Sequence, residues 1–340
     1  MPISMKHITI KDVARQLNVS VSTVSRAFND KYDIRKETRA KILRVADEMG
    51  YRPNPIARKL IQQKTLNVGV VVPEFINSYF PEVIIGIQEV LLARGYQVLV
   101  MQSNECYTTE LKNIKTLEDS MVDGIIISLS SEVHNNDYYI RMIEKGYPIV
   151  FFNRVDEDIP ASQVIFDDYK WAYFATEHLI KQGYRKIYHF SGYQHLSLSR
   201  NRIKGYCKAM DKFSIPYTSD YIIETGFFME EGQTVMEKLL AKGNIPDAIF
   251  ATNDPTAIGA MKAIKKAGMK IPDDIALVGF SESKMAEVVD PPLTSVSQPT
   301  FEIGRTAAEL LLRQIEADGF ATPKTVVLNG KLNVRGSSGK

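Results

Sequence analysis

The side chains of this 340-residue chain that could carry chemistry fall into two groups, and neither assembles a catalytic set. The first is a run of small hydroxyls closed by an arginine, Ser20-Val-Ser-Thr-Val-Ser-Arg26. On a helix such a run suits contact with phosphates and base edges. The second group stands just after short apolar runs: Tyr79 and Phe80, Asn153 and Arg154, Arg200 and Arg202, Asn253 and Asp254, Ser281 and Glu282. Aromatics mixed with amides and arginines suit a polar, ring-shaped ligand such as a sugar or nucleobase. Taken singly, Tyr79 and Phe80 could equally cover a core, and Arg202 could form a surface ion pair. Gly279-Phe-Ser-Glu-Ser283 comes near a nucleophile elbow but ends in serine where glycine is required. His178 and His189 are expected to pack or bond locally. There is no GxGxxG, nucleotide loop, HExxH or CxxC. An enzyme is disfavoured, and neither metal nor cofactor is expected.

Apolar residues make up 44% and charged residues 24%, so the chain is globular and not disordered. Its length predicts two or three domains. The only cysteines, Cys106 and Cys207, exclude a disulfide framework and fit a reducing compartment. No apolar run reaches the ~18 residues of a membrane span, and Met1–His7 lacks the apolar core of an export signal. A cytoplasmic location with no membrane partner is expected. The net charge of +2 hides an asymmetry: residues 1–64 hold 14 Lys+Arg against 6 Asp+Glu, and residues 65–340 hold 28 against 34. A head of +8 on a body of −6 points to a polyanion partner for the head alone.

The head must position the hydroxyl run. Thr9 and Asp12 open a helix whose apolar face is Val13, Ala14 and Leu17. Asn18-Val19-Ser20 makes a turn, with Ser20 as N-cap of a second helix that buries Val24, Ala27 and Phe28. A third helix from about Lys36 to Met49 stops at Gly50 and buries Ile42, Leu43 and Ala46. Two short helices across a three-residue turn read as a helix-turn-helix. Its second helix would enter the major groove: Ser20, Thr23 and Ser25 on phosphates, Arg26 on a guanine edge, Ser22 on a base edge and Val21 on a thymine methyl. Beyond it, Asn54 and Pro55 begin a helix too short to persist alone. Its Leu60, flanked by Arg58 and Lys59, suits a minor-groove wedge; a plain linker is the alternative.

The body alternates strand patterns (67–72, 97–102, 124–129, 148–152, 186–190, 248–251, 275–280) with amphipathic stretches (82–94, 170–182, 201–213, 257–267). That alternation predicts parallel sheets covered by helices, arranged as two lobes with a cleft between them. Ligands of such sheets bind beyond the carboxyl ends of strands, where the second group of side chains falls.

Thr9–Arg15, Val19–Arg26, Thr38-Arg39 and Gly50–Leu60, taken in order, resemble the headpiece of the LacI/GalR (lactose repressor) family of bacterial transcription factors. Val70–Phe80, Glu177–Gly183, Arg200–Tyr206, Thr252–Asp254, Ile275–Phe280 and Pro291–Thr294 resemble that family's effector-binding core. The resemblance implies a small all-α helix-turn-helix DNA-binding domain joined to a two-lobed α/β domain like the periplasmic binding proteins. It implies a homodimer on near-palindromic double-stranded operator DNA, controlled by a small, sugar-like molecule in the cleft. Thr9, Asn29, Arg35, Asn54, Pro55, Ala57 and Arg58 join the DNA-facing set, and the effector set becomes Tyr79, Phe80, Asn153, Arg202, Phe228, Asn253 and Ser281. Two departures lie in the head: Asn18 stands where glycine is usual, and Arg35 replaces a helix-capping serine. Two lie in the cleft, where Asn153 and Ser281 replace carboxylates that would grip sugar hydroxyls. The implied organisation is 1–64 as headpiece, with a hinge helix at about 53–62, and 65–340 as core. Its lobes are 66–165 with 294–322, and 166–293 with 323–340. No leucine heptads follow Val334-Arg335, so a dimer is expected and not a coiled-coil tetramer. A solute-binding protein of the same body fold and a sugar-metabolising enzyme are the alternatives.

Overall fold

The computed structural model describes residues 8–28, 34–51, 64–133 and 135–339. The chain divides between Thr65 and Leu66 into two compact units.

The first unit contains α1 (Ile10–Leu17), α2 (Val21–Phe28) and α3 (Lys36–Glu48). Asp12 reaches back to accept the Thr9 N–H at 3.0 Å, which satisfies a donor the helix start leaves orphaned. Asn18 ends α1 in the left-handed region at φ 51°, a conformation Asn tolerates better than other side chains. Ser20 Oγ then accepts the Thr23 N–H at 3.1 Å and opens α2. Val13, Ala14, Val24, Ala27, Ile42 and Ala46 form the buried centre, with Leu17 and Phe28 at its edge. Leu43, expected to be buried, is only partly so, because the contact stripe of α3 runs from Ile42 to Ala46 and Leu43 lies one position aside.

The second unit is built from two six-stranded sheets. Its chain runs β1 (Asn67–Val72), α4 (Tyr79–Ala93), β2 (Gln97–Gln102), α5 (Tyr107–Asp119), β3 (Gly124–Ile127), α6 (Asp137–Glu144), β4 (Ile149–Phe152) and β5 (Ser162–Phe166). It continues through α7 (Asp168–Lys181), β6 (Ile187–Ser191), α8 (Ser197–Lys212), β7 (Ile222–Glu224), α9 (Met229–Ala241), β8 (Ala248–Ala251), α10 (Asp254–Lys266), β9 (Ala276–Phe280), α11 (Met285–Val288) and β10 (Thr294–Ser297). Last come α12 (Thr300–Glu316), β11 (Thr325–Leu328) and β12 (Lys331–Asn333). The strand orders are β11-β5-β4-β3-β1-β2 and β12-β10-β9-β8-β6-β7. Among the described residues only the β10–β12 pair is antiparallel. Helices cover both faces, so central strands such as Val68–Val72 and Ala276–Phe280 are buried throughout.

The lobe boundaries differ from the sequence expectation. Residues 294–297, assigned to the first lobe, pair with β9 in the second sheet. Residues 325–328, assigned to the second, pair with β5 in the first. The three crossings therefore fall just after β5, between β10 and α12, and between β11 and β12. They converge in space: a Cβ on Gly330 would lie 2.1 Å from the Ser297 carbonyl and 2.7 Å from the Phe166 ring. The expected boundaries, implied by the resemblance, stop short of the strands Thr294–Ser297 and Thr325–Leu328.

Helices α4 and α12 of the first lobe approach so closely that each needs a glycine. A Cβ on Gly304 would sit 2.0 Å from the Val83 carbonyl, and one on Gly86 would sit 2.1 Å from that of Phe301. Backbone cannot yield as a flexible side chain can, so Gly304→Ala is expected to cost ~1–3 kcal/mol or more through overpacking. A lowered urea midpoint for the whole chain tests this; an unchanged midpoint would mean that the helices slide apart freely.

Candidate functional site

In the headpiece, α2 turns Val24 and Ala27 inward and leaves Val21, Ser22 and Arg26 exposed, with Val21 41% accessible. The Ser20, Ser22 and Thr23 hydroxyls lie together, Ser20 Oγ being 2.8 Å from Ser22 Oγ and 2.7 Å from Thr23 Oγ1. They form one polar cluster at the start of α2, where the helix dipole also favours a phosphate. Ser25 is half-buried and Thr9 exposed. Arg35 occupies the N-cap of α3, exposed and without a side-chain bond to the first turn. Arg39 Nε donates to the Ala27 carbonyl at 3.0 Å and ties α3 to the end of α2. Asn29, Asn54, Pro55, Ala57, Arg58 and Leu60 lie outside the described residues.

In the core, all seven residues selected as effector contacts line one cleft with about 620 Å³ of empty space, part of it open to solvent. The first lobe contributes Tyr79 and Phe80 from the first turn of α4, and Asn153 from just after β4. From the second come Arg202 on α8, Phe228 before α9, Asn253 before α10 and Ser281 after β9. The parallel topology brings these strand ends to one side. Asn153 and Ser281 have φ of 58° and 87°. For Ser281 that conformation is strained, since Ser has no routine access to positive φ.

The cleft arginine is not a surface ion pair. Arg202 is 3% exposed, and its Nε and Nη2 both reach Asp168 Oδ1 at 2.8 Å. Its Nη1 donates to the Thr252 carbonyl, and the guanidinium lies 3.8 Å from the centre of the Phe280 ring. Burial pushes the Asp168 carboxyl above its ordinary value, with Arg202 opposing the shift. Asn253 is similarly engaged: Oδ1 accepts the Thr256 N–H at 2.9 Å, and Nδ2 donates to the Phe227 carbonyl at 2.8 Å. That second bond, with Glu231 Oε2 accepting the N–H groups of Phe227 and Phe228 at 2.8 Å, fixes the aromatic turn before α9. Tyr79 presents a buried hydroxyl without a partner, and burial and the Asp168 charge push its phenol upward.

Ten further residues line the cleft outside the sequence-assigned set, Arg154, Glu105, Phe227 and Gln298 among them. Arg154 was noticed beside Asn153 but not assigned. It is 5% exposed, its Nη1 bonds Glu105 Oε2 at 2.6 Å, and its guanidinium lies 4.6 Å from the Phe227 ring centre. Glu105 follows β2 as the other contacts follow their strands, so the same rule applied to β2 would have found it. Phe227 is visible as the neighbour of Phe228. Gln298 sits on the second crossing, which the sequence reading misplaced. Between the lobes, Ser197 Oγ donates to the Val155 carbonyl at 3.0 Å, and His195 Nε2 meets that of Ser131 at 2.5 Å. His189 stacks on Phe250 at 4.6 Å, bonds the Phe250 carbonyl through Nδ1, and is pushed by burial to about 4. His178 bonds Ser338 at 2.8 Å.

Beside the cleft, Asp254 is fully buried and accepts from Ser295 Oγ at 2.6 Å and the Ser283 N–H at 2.5 Å. Burial pushes its carboxyl up to about 7, from an ordinary 3.8, against those hydrogen bonds. The folded state therefore holds this proton more tightly than the unfolded chain. The group's contribution to stability falls as pH rises from about 4 to about 7 and stays low above that range. Asp254→Asn removes the titration, so its urea midpoint relative to the wild type should rise between pH 5 and pH 8; a constant difference would refute the shift. Arg202→Ala leaves the Asp168 carboxylate buried and unpaired, at an expected cost of ~3–5 kcal/mol. Adding Asp168→Ala should recover part of that loss in urea denaturation, and strictly additive losses would exclude the pairing.

Among the described residues, no helix is long and apolar enough to cross a membrane, and no cluster of three or more His, Cys, Asp or Glu could hold a metal ion. Residues 9–54 match the family described as bacterial regulatory proteins, lacI family. Residues 65–328 match the periplasmic binding proteins and sugar binding domain of the LacI family. The chain is 35% identical over 297 residues to the HTH-type transcriptional regulator DegA of Bacillus subtilis (strain 168), covering 87% of this chain and 88% of that protein. A structure of the Lac repressor dimer bound to operator and the anti-inducer ONPF superposes with a TM-score of 0.86 at 25% identity, covering 98% of this chain and all of that one. The CelR–cellobiose complex does so with a TM-score of 0.73 at 29% identity, covering 97% and 99%. A three-helix headpiece with an exposed hydroxyl and arginine face, followed by two α/β lobes around a polar, aromatic cleft, places this chain in the LacI family of bacterial regulatory proteins.

Proposed function

We propose that the protein is a cytoplasmic, homodimeric repressor of transcription that binds a near-palindromic operator through α2 and is controlled by a sugar-like molecule in the interlobe cleft. One observation carries the effector half: seven residues chosen from strand ends and family resemblance, spread over 203 positions from Tyr79 to Ser281, meet in a single cleft. The Lac repressor structure, a dimer on operator, and the CelR–cellobiose complex support the dimeric, operator-bound and sugar-responsive parts of the reading.

The cleft walls come from both lobes, so a ligand that touches both binds one lobe arrangement better than another. That difference is the only free energy available to bias the equilibrium. Coupling of this kind is ~1–3 kcal/mol, a change of ~5–150-fold in operator affinity. In the headpiece, α2 lies in the major groove with the Ser20, Thr23 and Ser25 hydroxyls at phosphates. Val21, Ser22 and Arg26 face bases, and Leu60 acts as the minor-groove wedge.

Selection from a random duplex pool with the full chain should recover a two-fold symmetric site. At the base pair that Arg26 reads, Arg26→Ala should lose ~1–3 kcal/mol of discrimination. Uniform weakening at every position would reassign Arg26 to the phosphate backbone. Failure to prefer any duplex over random competitor would refute the regulator.

A further inference from the structure

Both guanidiniums in the cleft are already neutralised by the protein. Arg202 is held by Asp168, and Arg154 by Glu105 at 2.6 Å. A third carboxylate, Glu74, lines the same space and accepts from the Asn77 backbone N–H at 2.9 Å and its side-chain amide at 3.0 Å. Among the described residues no lysine lines the cleft. Two cations against three carboxylates leave nothing to offset a phosphate or carboxylate on a ligand, and an anion stripped of water without a counter-charge is strongly disfavoured. Helix starts oppose this with about half a positive charge each. Two of those facing the cleft are capped by the chain itself, α9 by Glu231 and α10 by Asn253.

The unspent hydrogen-bonding capacity has the opposite character. Tyr79 OH, Glu105 Oε1 and both amide atoms of Gln298 are buried without partners, and all three residues line the cleft. One is acceptor-only, one both donates and accepts, and the amide offers both. Hydroxyl groups, which donate and accept, complement all of them. Phe227 and Phe228 supply ring faces beside them.

We propose that the cleft takes an uncharged polyhydroxyl ligand and rejects phosphorylated and carboxylate sugars, with Glu105 as the residue that sets this choice by neutralising Arg154. This rests on the reading of the cleft as the effector site. The same glutamate also accepts the Ser131 N–H at 2.9 Å, so Glu105→Gln keeps an oxygen for that bond while removing the charge.

The test is calorimetric titration of the full chain with ribose, glucose and cellobiose, and with ribose 5-phosphate, glucose 6-phosphate and glucuronate. Binding of at least one neutral sugar is expected, with its anionic counterpart at least tenfold weaker, and with that ratio narrowing at least tenfold in Glu105→Gln. An anionic sugar that binds the wild type as tightly as its neutral parent overturns the charge inference and leaves the cleft reading standing. A neutral preference unchanged in Glu105→Gln overturns the assignment to Glu105. Silence from all six compounds in both proteins overturns the sugar reading of the cleft, and this inference with it.

Discussion

Everything in the core depends on how its two sheets are joined. Among the described residues three segments of chain pass between them, and they run side by side, with Gly330 packed on the Ser297 carbonyl and the Phe166 ring. The Asp167 N–H is bonded to the Leu328 carbonyl at 3.1 Å, so two of the crossings are also tied by backbone. Links gathered along one line allow lobes to rotate about it while resisting shear. Across the cleft the lobes touch through Arg154 over the Phe227 ring and through polar contacts, Ser197 to Val155 and His195 to Ser131, of a kind that exchanges with water at little net cost. A ligand that touched both walls of the cleft would therefore change the balance between arrangements.

Charge inside that cleft is stabilised before any ligand arrives. Arg202 has its cation satisfied by Asp168, a backbone carbonyl and the Phe280 face. Asn253 likewise spends its oxygen and one N–H on α10 and the Phe227 turn. Both residues hold the walls in place first, and what each has left for a ligand is a remainder. The atoms with full capacity are elsewhere, on Tyr79, Glu105 and Gln298. Contact lists and energetic importance need not coincide in such a site, because a polar group already paired gains less from a new partner than one buried without any.

The fold was legible in the sequence wherever burial imposed a simple pattern. Val68–Val72 and Ala248–Ala251 lie on interior strands of their sheets, buried on both faces, and an apolar run announces them. Ser162–Phe166, Thr294–Ser297 and Thr325–Leu328 did not announce themselves. Ser162 is buried yet polar because its Oγ bonds the Gln314 amide at 3.0 Å, and Ser295 is buried because it bonds Asp254. Their polarity is satisfied by residues far away in sequence, which no local window can see. The site divides in the same way. Asn153 and Ser281 follow strands that were recognised, so they were found. Gln298 follows an unrecognised strand and was missed, and Glu105 was missed although it follows β2 as the other contacts follow their strands. Phe228 came from family resemblance alone, its place at the cleft being fixed by Glu231 and Asn253 and by no periodicity.

The distribution of cleft residues between the lobes bears on how the sensor works. Were the aromatics and the polar groups on one wall, a ligand would bind that wall at any lobe angle and shift nothing, however tight its binding. Tyr79, Phe80 and Asn153 stand on one side and Arg202, Phe228, Asn253 and Ser281 on the other, so full contact exists only over a narrow range of angles. Arg154 makes the angle matter even without ligand, since it belongs to the first lobe by Glu105 and to the second by its place over the Phe227 ring. A hydroxyl that binds Glu105 Oε1 alters the charge density facing Arg154, and with it the attraction that draws the guanidinium toward Phe227. Under the proposed selection of neutral ligands, recognition and closure would then act through the same carboxylate, because Glu105 holds the arginine that lies over the opposite lobe's Phe227 ring.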